Sequence, residues 1–253
     1  MYNLKLIKSG KRIEVYKYTN YTVKEKAELP KHVKKKNSSD EEKKDSRIQT
    51  LATARNNIVR LLKCNEDLTT FITLTFKEEC DYMLSKKYLN ILFTKLRRDY
   101  NNFKYLWVLE YGDINKRLHY HLLCNFPIAI TLASSNEKKT DKHKQLENIF
   151  RLKYWNYGFV DIRKLNDEGN TNIALYVSSY IVKSLKDINL EGYRIYSYSR
   201  NLNKPIEVKI FSRQTIEEIL KVFNEDIKYS TTYEINNKSK NAGKVIYIDM
   251  EQK

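Results

Sequence analysis

Two of the four histidines in this chain stand one residue apart in RLHYHLLCNF, and an acidic residue, Glu110, precedes them in LEYGDINK. On a strand, residues i and i+2 face the same way, so His119 and His121 share a face with Leu123 and Asn125. Leu118, Tyr120, Leu122 and Cys124 take the other face. If the turn between the two runs centres on Ile114 and Asn115, Glu110 falls opposite His119, and directly paired residues share a face about 5 Å apart. A slip of one residue would send Glu110 to the opposite face. In that register two imidazoles and a carboxylate make a mixed nitrogen and oxygen site. It suits Mg2+ or Mn2+ and leaves positions for water and a phosphate oxygen. The competing reading is a pair of half-buried histidines hydrogen-bonded to neighbours, with Glu110 paired to Lys116 or Arg117. The alternation by itself is compatible with both.

A second set of residues lies in NIALYVSSYIVKSLKD. At about 100° per residue, Ala174, Val177, Ile181 and Leu185 make an apolar stripe. Tyr176, Tyr180 and Lys183, at i, i+4 and i+7, fall on nearly the opposite one. This is either an amphipathic surface helix with partly covered tyrosines, or a helix presenting phenols for attack on a phosphodiester. A free phenol, with a pKa near 10, is a poor nucleophile at neutral pH. It needs a polarised phosphate and a nearby cation. The metal and Lys183 would supply these.

Composition favours a polyanionic substrate. Lys and Arg number 47 against 31 Asp and Glu, a net charge of +16, which points to nucleic acid ahead of membrane phosphate. The 20 tyrosines offer stacking faces for unpaired bases. YRIYSYSR would alternate Arg194, Tyr196, Tyr198 and Arg200 along one face. It reads as a DNA-contacting strand or as a basic edge strand that resists aggregation. Arg97, Arg98 and the KHVKKK run are weaker candidates. Only six glycines occur, and neither SGKR nor AGKV completes a phosphate loop, so ATP-driven unwinding is not expected. The three cysteines, Cys64, Cys80 and Cys124, suit neither a disulfide framework nor a zinc knuckle and read as reduced packing residues. His32 and His143 sit among polar residues and are expected to be solvated. No apolar run approaches the roughly 18 residues of a membrane span, and the N-terminus is too charged for a signal peptide. No membrane partner is expected, and the chain reads as cytoplasmic.

The elements that must hold these residues can be read in order. Residues 2–24 form a basic hairpin turning at KSGK, followed by a charged linker to residue 45. A helix starts near Ser46 and ends before Asn65. TTFITLTF is a strand, and SKKYLNILFTKLRRDY is a helix with Leu89, Leu92, Phe93 and Leu96 inward. FKYLWVLEYG and RLHYHLLCNF form a hairpin. DKHKQLENIFRLKYW is a helix, GFVDIRKL a strand, then come the tyrosine helix and the strand YRIYSYSR. RQTIEEILKVF is a helix before a polar tail ending in the short strand KVIYID. The fold class is α+β, an antiparallel-rich sheet with flanking helices. The expected divisions are 1–45 for hairpin and linker, 46–215 for the main domain, and 216–253 for a helix and tail.

Taken together, FITLTF, RLHYHLL and YVSSYIVK resemble, in that order, three motifs of the HUH endonucleases that initiate rolling-circle replication. The paired tyrosines are those of the two-tyrosine form. The likeness is greatest to initiators of small single-stranded DNA phages and related plasmids. There a YG...R.HYH segment and a late SR.L.KP segment occur, the latter standing here as SRNLNKP. The resemblance implies a ferredoxin-like or RRM-like sheet and a Mg2+- or Mn2+-dependent nickase of single-stranded origin DNA in hairpin form. It implies His119, His121 and Glu110 as metal ligands, Tyr176 and Tyr180 as nucleophiles, and Lys183 as their cationic neighbour. It further implies a covalent 5′-phosphotyrosine, a free 3′-OH for priming, rejoining of the strand at termination, and a bacterial host supplying helicase and polymerase. A transposase, a mobilisation relaxase and a noncatalytic RRM-like nucleic-acid binder are the alternatives.

Overall fold

The computed structural model describes residues 1–19, 40–112, 117–128, 138–164, 193–223, 225–235 and 243–252. The chain divides into two compact units, one of Ser46–Asn203 and one of Met1–Asp45 with Lys204–Lys253. The fold is α+β, and its two five-stranded sheets are antiparallel throughout the described residues.

In the Ser46–Asn203 unit the strands are β3 (Thr70–Thr75), β4 (Tyr105–Tyr111), β5 (Leu118–Cys124), β6 (Val160–Lys164) and β7 (Tyr196–Tyr198), ordered β6-β3-β5-β4-β7. Helices α2 (Tyr82–Asp99) and α3 (Asp141–Tyr154) serve one face of this sheet. Asp81 caps α2 by accepting from Leu84 N at 2.8 Å, and Leu89, Leu92, Phe93 and Leu96 follow at helical spacing on its buried side. They join a core with Trp107, Tyr120, Leu122 and Ile162, all 2% exposed or less. Direct contacts fix the packing. The Ser85 and Tyr120 hydroxyls lie 2.8 Å apart, and the Phe93 and Tyr105 rings stack at 3.7 Å.

The opposite face changes character along the strands. Phe71, Leu106 and Leu123 are buried in the same core cluster as Ala54, Ile58, Leu61 and Leu62 of α1 (Asp40–Lys63). Toward the other end of the strands the same face carries Thr73, Thr75, His119, His121 and Glu110. Beyond α1, Asn65 donates to Leu61 O at 2.8 Å and to Asn203 O at 2.9 Å, and accepts from Asn203 N at 2.9 Å. This buried amide ties the helix end to the segment after β7. The helix begins at Asp40, earlier than the Ser46 expected from apolar periodicity. Glu and Lys are strong helix formers, and DEEKKD has no apolar stripe to reveal it.

The second unit holds β1 (Leu4–Ser9), β2 (Arg12–Tyr18), β8 (Ile206–Ile210), β9 (Asp226–Ile235) and β10 (Gly243–Glu251), ordered β8-β1-β2-β10-β9. Gly10, at φ 59°, makes the turn between β1 and β2. A short helix, α4 (Ile216–Leu220), is closed by a reciprocal capping box of Thr215 and Glu218 and contributes Ile219 to a core with Leu4, Ile13, Val15, Ile248 and Met250. Arg12 meets Asp249 through two hydrogen bonds, of 2.7 and 2.9 Å. After α4, where the sequence reads as a polar tail ending in one short strand, the structure has the two long strands β9 and β10. β8 is a further strand that the sequence reading did not assign.

No helix among the described residues is long and apolar enough to cross a membrane. The three cysteines are free, and burial pushes the Cys124 thiol up to about 12. Cys124 is therefore expected to resist iodoacetamide at about pH 8 in the folded protein and to be modified once denaturant exposes it. Peptide mass spectrometry reads both states.

Candidate active site

The β4–β5 hairpin decides which side chains can meet. Its ladder pairs Glu110 with His119 and Val108 with His121, and Gly112 N donates to Arg117 O at 2.8 Å one pair closer to the turn. The turn residues 113–116 lie outside the described residues. On its other side β5 pairs with β3, setting Thr73 opposite His121 and Thr75 opposite His119. Glu110, His119, His121 and the two threonines thus share one face across three strands.

Glu110 and His121 are joined side chain to side chain. His121 Nε2 lies 2.9 Å from Glu110 Oε2, and both residues are buried, at 9% exposure for His121 and 5% for Glu110. An ionised carboxylate only accepts, so Nε2 carries the hydrogen of this bond. In the neutral ring Nδ1 is then the acceptor for the Thr73 hydroxyl, 3.2 Å away. The ring is also stacked on Phe71, with centroids 5.6 Å apart and planes 13° from parallel. Both of its nitrogens and one of its faces are therefore fixed. Thr73 and Phe71, which orient the imidazole, are contributions the sequence reading did not single out. Their positions in FITLTF, two apart on a strand, were the available signal.

The donor set bears on a divalent ion in a definite way. Two cis ligands at about 2.1 Å from an octahedral ion are separated by about 3.0 Å, close to the distance between Glu110 and His121. An ion could replace the Nε2 hydrogen with little movement of either group. His119 is placed differently. Its ring lies over Gly112, where a β-carbon would come within 2.3 Å of His119 Cε1. Among the described residues no three His, Cys, Asp or Glu side chains gather as a metal site. The structure thus brings together two of the three expected ligands. The third is on the correct face with its ring turned over the glycine. Gly112→Ala is expected to leave the fold intact, since the clash is with a side chain that can swing. It is also expected to shift the His119 ring signals in a proton–carbon NMR spectrum while leaving those of His121 in place.

Tyr120, between the two histidines, is excluded as a nucleophile by its direction. It points to the opposite face, bonded to Ser85, and burial raises its phenol well above the ordinary tyrosine range. Tyr176, Tyr180 and Lys183 lie outside the described residues. Tyr196 and Tyr198 pair with Val108 and Leu106 and so stand on the Glu110 face. The two arginines expected beside them fall outside the three-residue strand. Arg194 N donates to Tyr82 Oη at 3.2 Å, and Arg200 lies in the turn after β7. His143, expected in solvent, is fully buried, with Nε2 2.8 Å from Ile162 O. It falls on the inner stripe of α3 with Phe150 and Tyr154, a phase its polar neighbours in sequence disguise. His32 lies outside the described residues.

The model of a family of replication-associated proteins, the ORF2 type, matches residues 69–185. That stretch begins at β3, contains the whole β4–β5 hairpin, and runs through the segment carrying Tyr176 and Tyr180. No curated protein and no solved structure matches the chain.

Proposed function

We propose that this chain is a replication initiator that nicks single-stranded origin DNA by metal-assisted tyrosine attack. The family match over residues 69–185 supports a replication-associated role. The observation that carries the chemical part is the Glu110–His121 pair, buried, oriented by Thr73 and Phe71, and registered opposite His119 within that stretch. Glu110 and His121 would hold Mg2+ or Mn2+, and His119 completes the set when its ring turns away from Gly112. A divalent ion bound there supplies Lewis acidity toward a phosphodiester oxygen.

The remaining steps belong to the chain's own side chains. A phenol oxygen of Tyr176 or Tyr180 attacks phosphorus and gives up its proton. The bond to the 3′ oxygen breaks, and that oxygen takes a proton to become a free 3′-OH. The 5′ phosphate stays on the tyrosine as a phosphodiester, so the energy of the broken linkage is kept for rejoining. Lys183 is assigned to the charge that develops on the phenol oxygen. A host polymerase would extend the 3′-OH behind a host helicase.

Incubation with single-stranded origin DNA and Mn2+, followed by a denaturing gel, tests this reading. A labelled strand should migrate with the protein and release a peptide–nucleotide on proteolysis. Chelator should remove the adduct. A protein that binds the strand but yields neither adduct nor cleavage is a nucleic-acid-binding module instead.

A further inference from the structure

A cavity of about 540 Å3 opens at the far end of β4 from Glu110, at the sheet edge formed by β7. Arg97 and Tyr100 from the end of α2, Asn102 from the following turn, and Tyr198, Arg200 and Asn201 from the end of β7 line it. Hydrogen bonds set its shape. Asn201 Nδ2 donates to Asn102 Oδ1 at 3.0 Å, and Tyr105 N donates to Ser199 Oγ at 3.1 Å. Asn102 itself sits at φ 58°, a left-handed conformation that asparagine tolerates better than most residues. Beneath, Phe103 and Tyr105 pack with ring centroids 5.7 Å apart, and Tyr105 is stacked on Phe93, so the aromatic floor is anchored in the core. Arg97 and Arg200 are exposed, and neither has a carboxylate partner among the described residues.

The chemistry of this cavity is that of a nucleotide site. Phenol rings stack on any base, guanidinium groups take phosphate, and amides read base edges. We propose that it holds one unpaired nucleotide of the DNA strand, apart from the site of cleavage. The base would lie against Tyr198 and Tyr100, with its flanking phosphates on Arg97 and Arg200. The proposal rests on the reading of the chain as a single-stranded DNA nickase and adds a second anchoring point to it. From Tyr105 to Glu110 along β4 is about 17 Å at strand spacing, the length of about five stacked nucleotides. The pocket would therefore select a nucleotide a few positions from the scissile phosphate.

The test uses the full chain and a dT 12-mer carrying 5-iododeoxyuridine. Ultraviolet cross-linking should place the adduct on a peptide containing Tyr100 or Tyr198. Arg200→Ala should weaken 12-mer binding about three- to ten-fold and lower the slope of log affinity against log salt by about 1, the mark of one lost phosphate contact. Tyr198→Leu should weaken binding about ten-fold, and Tyr198→Phe, which keeps the stacking face, should restore it. Cross-links confined to residues outside the cavity, or an unchanged affinity and salt slope in Arg200→Ala, overturn the proposal. Failure of the nickase reading looks different: the wild-type chain cross-links through the cavity, supporting the pocket, but forms no covalent adduct with origin DNA and Mn2+.

Discussion

Phenylalanine at both Tyr176 and Tyr180 is expected to abolish the covalent protein–DNA adduct, lowering cleavage of single-stranded origin DNA by on the order of 1,000-fold or more. The exchange removes two hydroxyls and nothing else. The rings, their area and their stacking remain, so a loss of activity cannot be assigned to a lost binding surface. Affinity for the uncleaved strand should stay within about two-fold of wild type, which separates chemistry from recognition. The single variants should behave unequally. Two phenols one helical turn apart allow one to hold the 5′ end while the other cuts the regenerated origin. Loss of the first nucleophile removes the initial adduct. Loss of the second leaves the adduct in place but prevents transfer to the next strand. If the double variant cleaves as the wild type does, the nucleophile is elsewhere and the proposed chemistry is wrong.

Glu110→Gln is expected to have the next largest effect, raising the Mn2+ concentration needed for half-maximal adduct formation by about 100-fold or more. Groups that only support a metal ligand are worth about 10- to 100-fold in affinity, and a ligand should be worth at least that. The choice of glutamine matters because Glu110 and His121 are both buried. Removing either side chain outright would strand the other without its partner, at about 1 to 3 kcal/mol of stability, and would confuse unfolding with loss of metal. Glutamine keeps the size and a neutral acceptor for His121 Nε2 while withdrawing the charge an ion requires. A thermal melt close to that of wild type, with a displaced Mn2+ titration, is the expected pair of results. The same pair fixes the sign of a pH effect. Metal binding must displace the Nε2 hydrogen, so in the wild type the Mn2+ requirement should rise as pH falls. A Glu110→Gln protein with an unaltered Mn2+ titration would remove Glu110 from the metal site.

Some of this arrangement was legible in the sequence. The Glu110–His119 register follows from alternation and the centre of one short turn, and the structure has that register. Helices α2 and α3 announce themselves by four-residue apolar spacing and good caps. What the sequence hid depended on partners far away in the chain. Nothing local in DIKYSTTYEI marks it as a strand of a sheet begun by residues 4–18, because its polar, threonine-rich pattern acquires meaning only beside β10. IEVKI does alternate, but its residues are exposed, so no buried face distinguishes it from a loop. The orientation of His121 was likewise beyond pattern reading. It needs the hydroxyl of Thr73 and the ring of Phe71 from β3, placed by a pairing of antiparallel strands some fifty positions apart.

The order β8-β1-β2-β10-β9 also governs when each part of the chain can fold. During synthesis β1 and β2 emerge first, while their partners β8 and β10 emerge last, after all of Ser46–Asn203. A lone two-stranded hairpin is marginal in water, with both edges open to pairing with other chains. The first strands made must therefore wait for the last, and the Ser46–Asn203 unit has the opportunity to close its core in the interval. A ribosome that stalls soon after Asn203 would release a chain whose metal hairpin is complete but whose N-terminal strands have an exposed edge on either side. Such fragments should be active-site competent and prone to aggregate.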